Sequence, residues 1–315
     1  DTMLMLVEKQ NAAGGVLGCQ IEAVVVDPAS DWPLFAEKAR ELLTVNEVDV
    51  IFGSWTSVSR KSALPVLEEL NGLMFYPVQY EGEESSKNVF YTGAAPNQQA
   101  IPAVDYFLEE LGVEKFALLG TDYVYPRTTN NILEQYLKDK GIAADDIFVN
   151  YTPFGHSDWA TIVGDVVALG ADGKQVGVIS TINGDANIGF YKELAAADVS
   201  ADDIPVVAFS VGEEELSGLD TSNLVGHLAA WNYFQSADTP ANAEFIKEWK
   251  AFAGEDRVTN DPMEAHYIGF NMWINAVEAA GTTDVDAVRS AMYGQEFPNL
   301  TGGTAVMLPN HHLAK

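Results

Sequence analysis

The sequence predicts an α/β protein of two Rossmann-like lobes, each a doubly wound parallel sheet, joined by a hinge. Three observations carry this. Short apolar runs alternate with segments of helical period through most of the 315 residues. Several runs are continuous: Ala23-Val24-Val25-Val26 has no polar side, which suits a strand covered on both faces, as in parallel sheets. Aromatic and hydroxyl residues follow directly after the runs, where open α/β sheets bind their ligands.

The elements follow in order. The chain opens Asp1-Thr2-Met3-Leu4-Met5-Leu6, which reads as helix, so a trimmed or mature fragment is expected. Strands are predicted at 21–26, 48–52, 73–78, 116–119, 147–151, 176–182 and 206–211. Helix 32–43 carries Leu34, Phe35, Ala39, Leu42 and Leu43 on one stripe, and helix 97–111 carries Ile101, Val104, Phe107, Leu108 and Leu111. Ser57 is placed to cap a helix after the strand at 48–52, and Ser157 or Asp158 to cap the one reaching Leu169. Three helical stretches at 241–253, 262–280 and 284–293 precede a short strand at 304–308. Small residues and a proline at 91–97, and the segment 231–240, read as crossovers. The expected division is 1–94 with 236–295, and 95–235 with 296–315, the chain crossing near 94, 235 and 296.

Composition narrows the function. The net charge of −29 opposes nucleic acid and anionic lipid, both of which need clustered Lys and Arg. Solubility accounts for such charge; a surface Ca²⁺ at Asp202-Asp203 or Glu213-Glu214-Glu215 is the other reading. No apolar run approaches the ~18 residues of a membrane span. Cys19 is the single cysteine, so it forms no internal disulfide. The five histidines lack zinc spacing, and no G-x-S-x-G, GxGxxG or P-loop occurs.

The candidate ligand residues are Trp55, Thr56, Ser57, Tyr76, Val78, Tyr123, Tyr125, Gly184, Asp185, Ser210 and Glu213. Ser57 would bring helix-start amides and a hydroxyl to a ligand carbonyl, or serve only as a cap beside a buried Trp55. Tyr76 is read as a ligand contact and Tyr80 as packing. Tyr123 and Tyr125, two apart in an extended stretch, would point the same way, with Pro126 opening a helix at its first position. Asp185 and Glu213 would accept from ligand N–H groups, cap or dipole-pair their helices, or both. No nucleophile accompanies these groups, which describes a receptor for a small, neutral, polar molecule and no catalytic site.

The motifs Asn11-Ala-Ala-Gly-Gly15, Trp55-Thr-Ser-Val-Ser-Arg-Lys61, Phe75-Tyr-Pro-Val-Gln-Tyr-Glu-Gly82, Gly120-Thr-Asp-Tyr-Val-Tyr-Pro-Arg127, Ser180-Thr-Ile-Asn-Gly-Asp185 and Asn260-Asp-Pro-Met-Glu264 resemble those of the urea-binding proteins of bacterial urea ABC transporters. Amide-binding regulators share the second and fourth. The resemblance implies a type I periplasmic binding fold with a closing hinge, periplasmic or extracytoplasmic capture of urea or short amides by a monomer, delivery to an ABC permease, and no required cofactor. It implies cleft positions for Ser57, Tyr76, Tyr123 and Tyr125. The competing functions are an amide-sensing regulatory receptor and, less well supported, an amidohydrolase.

Overall fold

A computed structural model describes residues 1–315. Two compact units divide the chain, one of 1–94 with 233–315 and one of 95–232.

The first unit begins with α1 (Thr2–Ala12) and α2 (Trp32–Thr44). A parallel sheet of order β1-β2-β3 follows, from β1 (Ile51–Phe52), β2 (Met74–Tyr76) and β3 (Val89–Tyr91), with α3 (Ser57–Leu70) linking its first two strands. The strand expected at 21–26 does not form. Residues 20–28 join no ladder, Val25 is 73% exposed, and β1 is paired on one side only, to β2. Ile21 is held instead by the Asn11 amide, which accepts from its N–H at 2.7 Å and donates to its carbonyl at 2.8 Å. A continuous apolar run names a doubly covered strand only when a neighbouring strand receives it. Cys19, expected in a turn leading into that strand, is exposed.

The second unit holds α4 (Ala100–Glu109), β4 (Lys115–Thr121), α5 (Val124–Asp139), β5 (Ile147–Thr152), α6 (Ala160–Leu169), β6 (Val176–Thr181), α7 (Ala186–Ala196), β7 (Val206–Ala208), α8 (Glu213–Leu216) and β8 (Leu228–Ala229). Its five strands form one parallel sheet of order β5-β4-β6-β7-β8. Neighbouring side chains of β4 serve opposite faces. Phe116 and Leu118 pack with Val104, Phe107 and Leu133, whereas Ala117 and Leu119 pack with Val163 and Phe190. Here the continuous runs read as the sequence predicts. Gly120 lets α5 lie close: a Cβ there would stand 2.5 Å from Thr181 Oγ1 and 2.6 Å from Pro126 Cβ. Neither Ser157 nor Asp158 caps α6; the cap position is Trp159, with no side-chain bond.

The chain then returns to the first unit with α9 (Pro240–Ala253), α10 (Asp261–Ala280), α11 (Val285–Met292), and an antiparallel sheet of β9 (Glu296–Pro298), β10 (Thr304–Met307) and β11 (Leu313–Ala314). Residues 296–315, expected in the second lobe, therefore belong to the first. Three bonds explain it. The buried Glu264 carboxylate accepts from the Leu300 N–H at 2.9 Å and pairs with Lys315 Nζ at 3.0 Å. The Tyr91 N–H donates to the His311 carbonyl at 2.9 Å. His311 stacks on Phe90 with ring centroids 4.4 Å apart.

Candidate functional site

In the first unit, the C-terminal ends of β1 and β2 carry Trp55, Thr56, Ser57, Tyr76 and Val78. Ser54 sits at φ 62°, a left-handed conformation that costs a non-glycine residue energy. The turn leaves Trp55 48% exposed, so the alternative of a cap beside a buried tryptophan does not hold. Thr56, and not Ser57, caps α3: its Oγ1 accepts from the Ser59 N–H at 3.2 Å. Ser57 is the first helical residue, and its amide and that of Val58 lie in the turn where a helix has no carbonyl to receive them.

The Ser57 hydroxyl is already engaged. It donates to Glu81 Oε2 at 2.5 Å. Glu81 Oε1 accepts from Arg60 Nη2 at 3.1 Å, and Arg60 Nε donates to Glu84 Oε1 at 2.7 Å. Lys61 Nζ closes the group at 2.6 Å from Glu84 Oε2. Arg60 is fully buried, with its guanidinium 4.5 Å from the Tyr76 ring centroid and 4.7 Å from that of Tyr80. Burial opposes the Arg60 charge, but Tyr76 and the two carboxylates outweigh it and hold its pKa above the ordinary value. Burial would raise the Glu84 carboxyl, yet Arg60 and Lys61 hold it below its usual range. Tyr76, pushed up to about 12 chiefly by burial, donates its O–H to the Trp55 carbonyl at 2.5 Å. Tyr80 packs as expected: its ring stacks on Tyr91 at 4.8 Å, and its hydroxyl meets His312 Nε2. Gly93 admits the neighbouring chain at Val78, since a Cβ would stand 2.2 Å from the Val78 carbonyl.

In the second unit, the strand ends carry aromatic rings beside dispersed charges. Tyr123 precedes α5 in extended conformation, and Tyr125 lies inside its first turn. The two rings are 6.2 Å apart and inclined by 46°, so they are neighbours but not parallel walls of one extended segment. Pro126 is the third residue of α5, not the first. Phe154, after β5, lies 5.1 Å from the Tyr123 ring and is 43% exposed. Asn183, after β6, donates from Nδ2 to the Tyr123 hydroxyl at 3.0 Å. Gly184 takes φ 67°, and Asp185 follows it exposed, making no side-chain cap bond to α7. Past β7, Ser210 leads to α8, whose start is tied by Glu215: its Oε2 accepts from the Gly212 N–H at 2.9 Å. Glu213 is the first residue of that helix, half-buried. The Trp231 ring covers Gly212, where a Cβ would meet it at 2.1 Å, and its indole N–H donates to the Phe209 carbonyl at 2.7 Å.

The structure thus groups Trp55, Thr56, Ser57, Tyr76 and Val78 on one unit, and Tyr123, Tyr125, Gly184, Asp185, Ser210 and Glu213 on the strand ends of the other. Sequence reasoning passed over Arg60, Glu81, Phe154, Asn183 and Trp231 as site residues. Arg60 and Glu81 lie inside the motifs at 55–61 and 75–82, and Asn183 opens Asn183-Gly184-Asp185, so the signal was adjacency in sequence. Phe154 and Trp231 follow strands and obey the same strand-end rule.

Residues 1–315 match the family described as periplasmic binding protein domain. A limonene hydroxylase of Geobacillus stearothermophilus is 32% identical over 90 residues, 29% of this chain and only 16% of that protein. The leucine-, isoleucine-, valine-, threonine- and alanine-binding protein of Pseudomonas aeruginosa is 24% identical over 307 residues, covering 95% of this chain and 78% of that protein. The crystal structure of a solute binding protein of an ABC transporter from Rhodopseudomonas palustris HaA2, in complex with p-hydroxybenzoic acid, superposes with a TM-score of 0.87 at 21% identity, over 100% of this chain and 86% of that chain.

Proposed function

This chain belongs to the family of periplasmic binding protein domains and has the type I periplasmic binding fold; from that premise we propose that it is an extracytoplasmic receptor that captures urea and delivers it to an ABC permease. The proposal departs from the ligands named for its relatives, which are amino acids and a hydroxybenzoic acid, all carrying a carboxylate.

One observation carries the departure: a carboxylate of the chain itself stands at the start of α3. Glu81 accepts from the Ser57 hydroxyl and from Arg60. An anionic ligand brought to that helix start would find the serine hydroxyl and the guanidinium already taken by a carboxylate. Arg127, near the strand ends of the second unit, is likewise paired, with Asp122 at 2.6 Å. An uncharged ligand needs no countercharge. Urea presents one carbonyl acceptor and four N–H donors on a plane. The amides of Ser57 and Val58 supply donors for the oxygen. The Ser57 hydroxyl donates to Glu81, so it is left out of that role. Trp55 offers an apolar face on the same unit. On the second unit, Asp185 and Glu213 offer acceptors of the kind amino groups need, and Tyr123, Tyr125 and Phe154 offer apolar faces.

Calorimetry with urea, acetamide, leucine and p-hydroxybenzoate tests the reading. Urea is expected to bind. Acetamide is expected to bind about tenfold more weakly or worse, because its methyl leaves an acceptor unpaired at about 1–3 kcal/mol. Equal affinity for urea and acetamide ends the urea-selective form. Binding of leucine or p-hydroxybenzoate with no heat from urea overturns the proposal.

A further inference from the structure

We propose that Glu81 is a specificity-determining residue: a built-in carboxylate that occupies the place an anionic ligand would take and so reserves the site for neutral solutes. The inference rests on the neutral-ligand reading above and names the group that enforces it.

The donors around Glu81 form an anion-binding set. A serine hydroxyl reaches one oxygen at 2.5 Å and a guanidinium reaches the other at 3.1 Å, at the first turn of a 14-residue helix. Hydroxyl, guanidinium and helix start are the groups that proteins use to hold carboxylates. Here the carboxylate comes from the chain, and it is 2% exposed.

Holding Arg60 in place does not explain Glu81. Glu84 already accepts from Arg60 Nε at 2.7 Å and pairs with Lys61 at 2.6 Å. Nor does regular structure: Glu81 lies between β2 and β3, in neither helix nor strand. Formal charge makes the consequence plain. Arg60 and Lys61 balance Glu81 and Glu84, so the group is neutral. Without Glu81 it carries one net positive charge in a chain that is otherwise at −29. Glu81→Ala removes a fragment the size of acetate and leaves its donors behind.

The experiment compares wild type, Glu81→Ala and Glu81→Gln by thermal shift and calorimetry against urea, acetate and formate, with sodium chloride at matched ionic strength. Wild type is expected to bind urea and to show no shift with acetate or formate beyond that of chloride. Glu81→Ala is expected to gain saturable acetate and formate binding in the millimolar range, roughly tenfold or more above wild type. Glu81→Gln keeps the shape without the charge and is expected to gain less. If Glu81→Ala does not fold, acetate binding by Glu81→Gln above that of wild type supports the proposal. Folded variants that gain no acetate or formate affinity overturn it, and leave the urea reading intact where wild type binds urea. Wild type that ignores urea and takes acetate overturns both.

Discussion

The strand ends of the two units handle polarity in opposite ways. In the first, Arg60, Lys61, Glu81 and Glu84 pair with one another under a lid of tyrosines. In the second, Tyr123 meets Phe154 and Asn183, Trp231 covers Gly212, and the charges are dispersed: Asp122 pairs outward with Arg127, Asp185 is exposed, and Glu213 opens α8. The contrast separates two jobs. On the proposed reading, a buried network of fixed charges sets which ligand charge is admitted, whereas amides and aromatic rings give shape and hydrogen bonds at lower desolvation cost. The contrast can be broken by mutation.

The largest effect is expected at Arg60. Arg60→Met would leave Glu81 facing only Ser57 and a Lys61 ammonium 3.7 Å away, while fully buried. Removing one partner of a buried pair costs about 3–5 kcal/mol. Urea denaturation is ruled out by the proposed ligand, so guanidinium unfolding is the measurement. A loss below ~1 kcal/mol would mean that the network is not a buried ion group.

The units should also differ in acid. Burial lowers His266, to about 4, with the N-terminal charge acting in the same direction, and burial lowers His311 and His312 as well. All three lie in the first unit; His227, also lowered by burial, lies in the second. A histidine with a depressed folded pKa stays neutral while its unfolded counterpart takes a proton, so the unfolded state binds more protons and stability falls as pH drops. The fall begins near the unfolded value of ~6.5 and, for His266, levels off near its folded value. With intrinsic exchange at each pH divided out, amide protection between pH 7 and pH 4.5 is expected to fall more in α10, β3 and β11 than in β4 and β6. An equal loss of protection in both units would break the contrast.

In the second unit the largest stability effect is expected from packing. Gly120→Ala would force a Cβ against Thr181 and Pro126, and overpacking of this kind costs about 1–3 kcal/mol. An unchanged melting temperature would show that α5 can shift.

How far each unit was legible follows from the same contrast. The five-stranded sheet has long central strands covered on both faces, so β4 and β6 appear as unbroken apolar runs. The first unit builds its parallel sheet from strands of two and three residues. There β3 went unread, because Val89-Phe90-Tyr91 is too short for a period. The run at 21–26 misled in the other direction, since apolar continuity says nothing about whether a partner strand exists. The same limit governed residues 296–315, whose place depends on Glu264 and Tyr91 far away in sequence. At the site, aromatic residues after strands were visible, and a carboxylate that occupies a serine was not, because the Ser57–Glu81 bond joins the first turn of α3 to a loop 24 residues away.

Asn183 separates ligand geometry from stability. Its amide donates to the Tyr123 hydroxyl at 3.0 Å and to the Thr181 carbonyl at 3.2 Å. Asn183→Ala is expected to weaken urea binding by about fivefold to tenfold, near 1 kcal/mol, through a phenol no longer held in place. Unchanged affinity would take Tyr123 off the ligand.

The smallest effect tests the helix start itself. Thr56→Ala removes the bond to the Ser59 N–H and should cost about 1 kcal/mol of stability. Its influence on urea should be slight, because the Ser57 and Val58 amides are left uncapped by Thr56 in the native helix. A Thr56→Ser variant keeps the hydroxyl and should restore stability to within about 0.5 kcal/mol. If Thr56→Ala instead weakened urea as much as Asn183→Ala does, the cap would be aiming those amides, and the first unit would shape the ligand as well as select its charge.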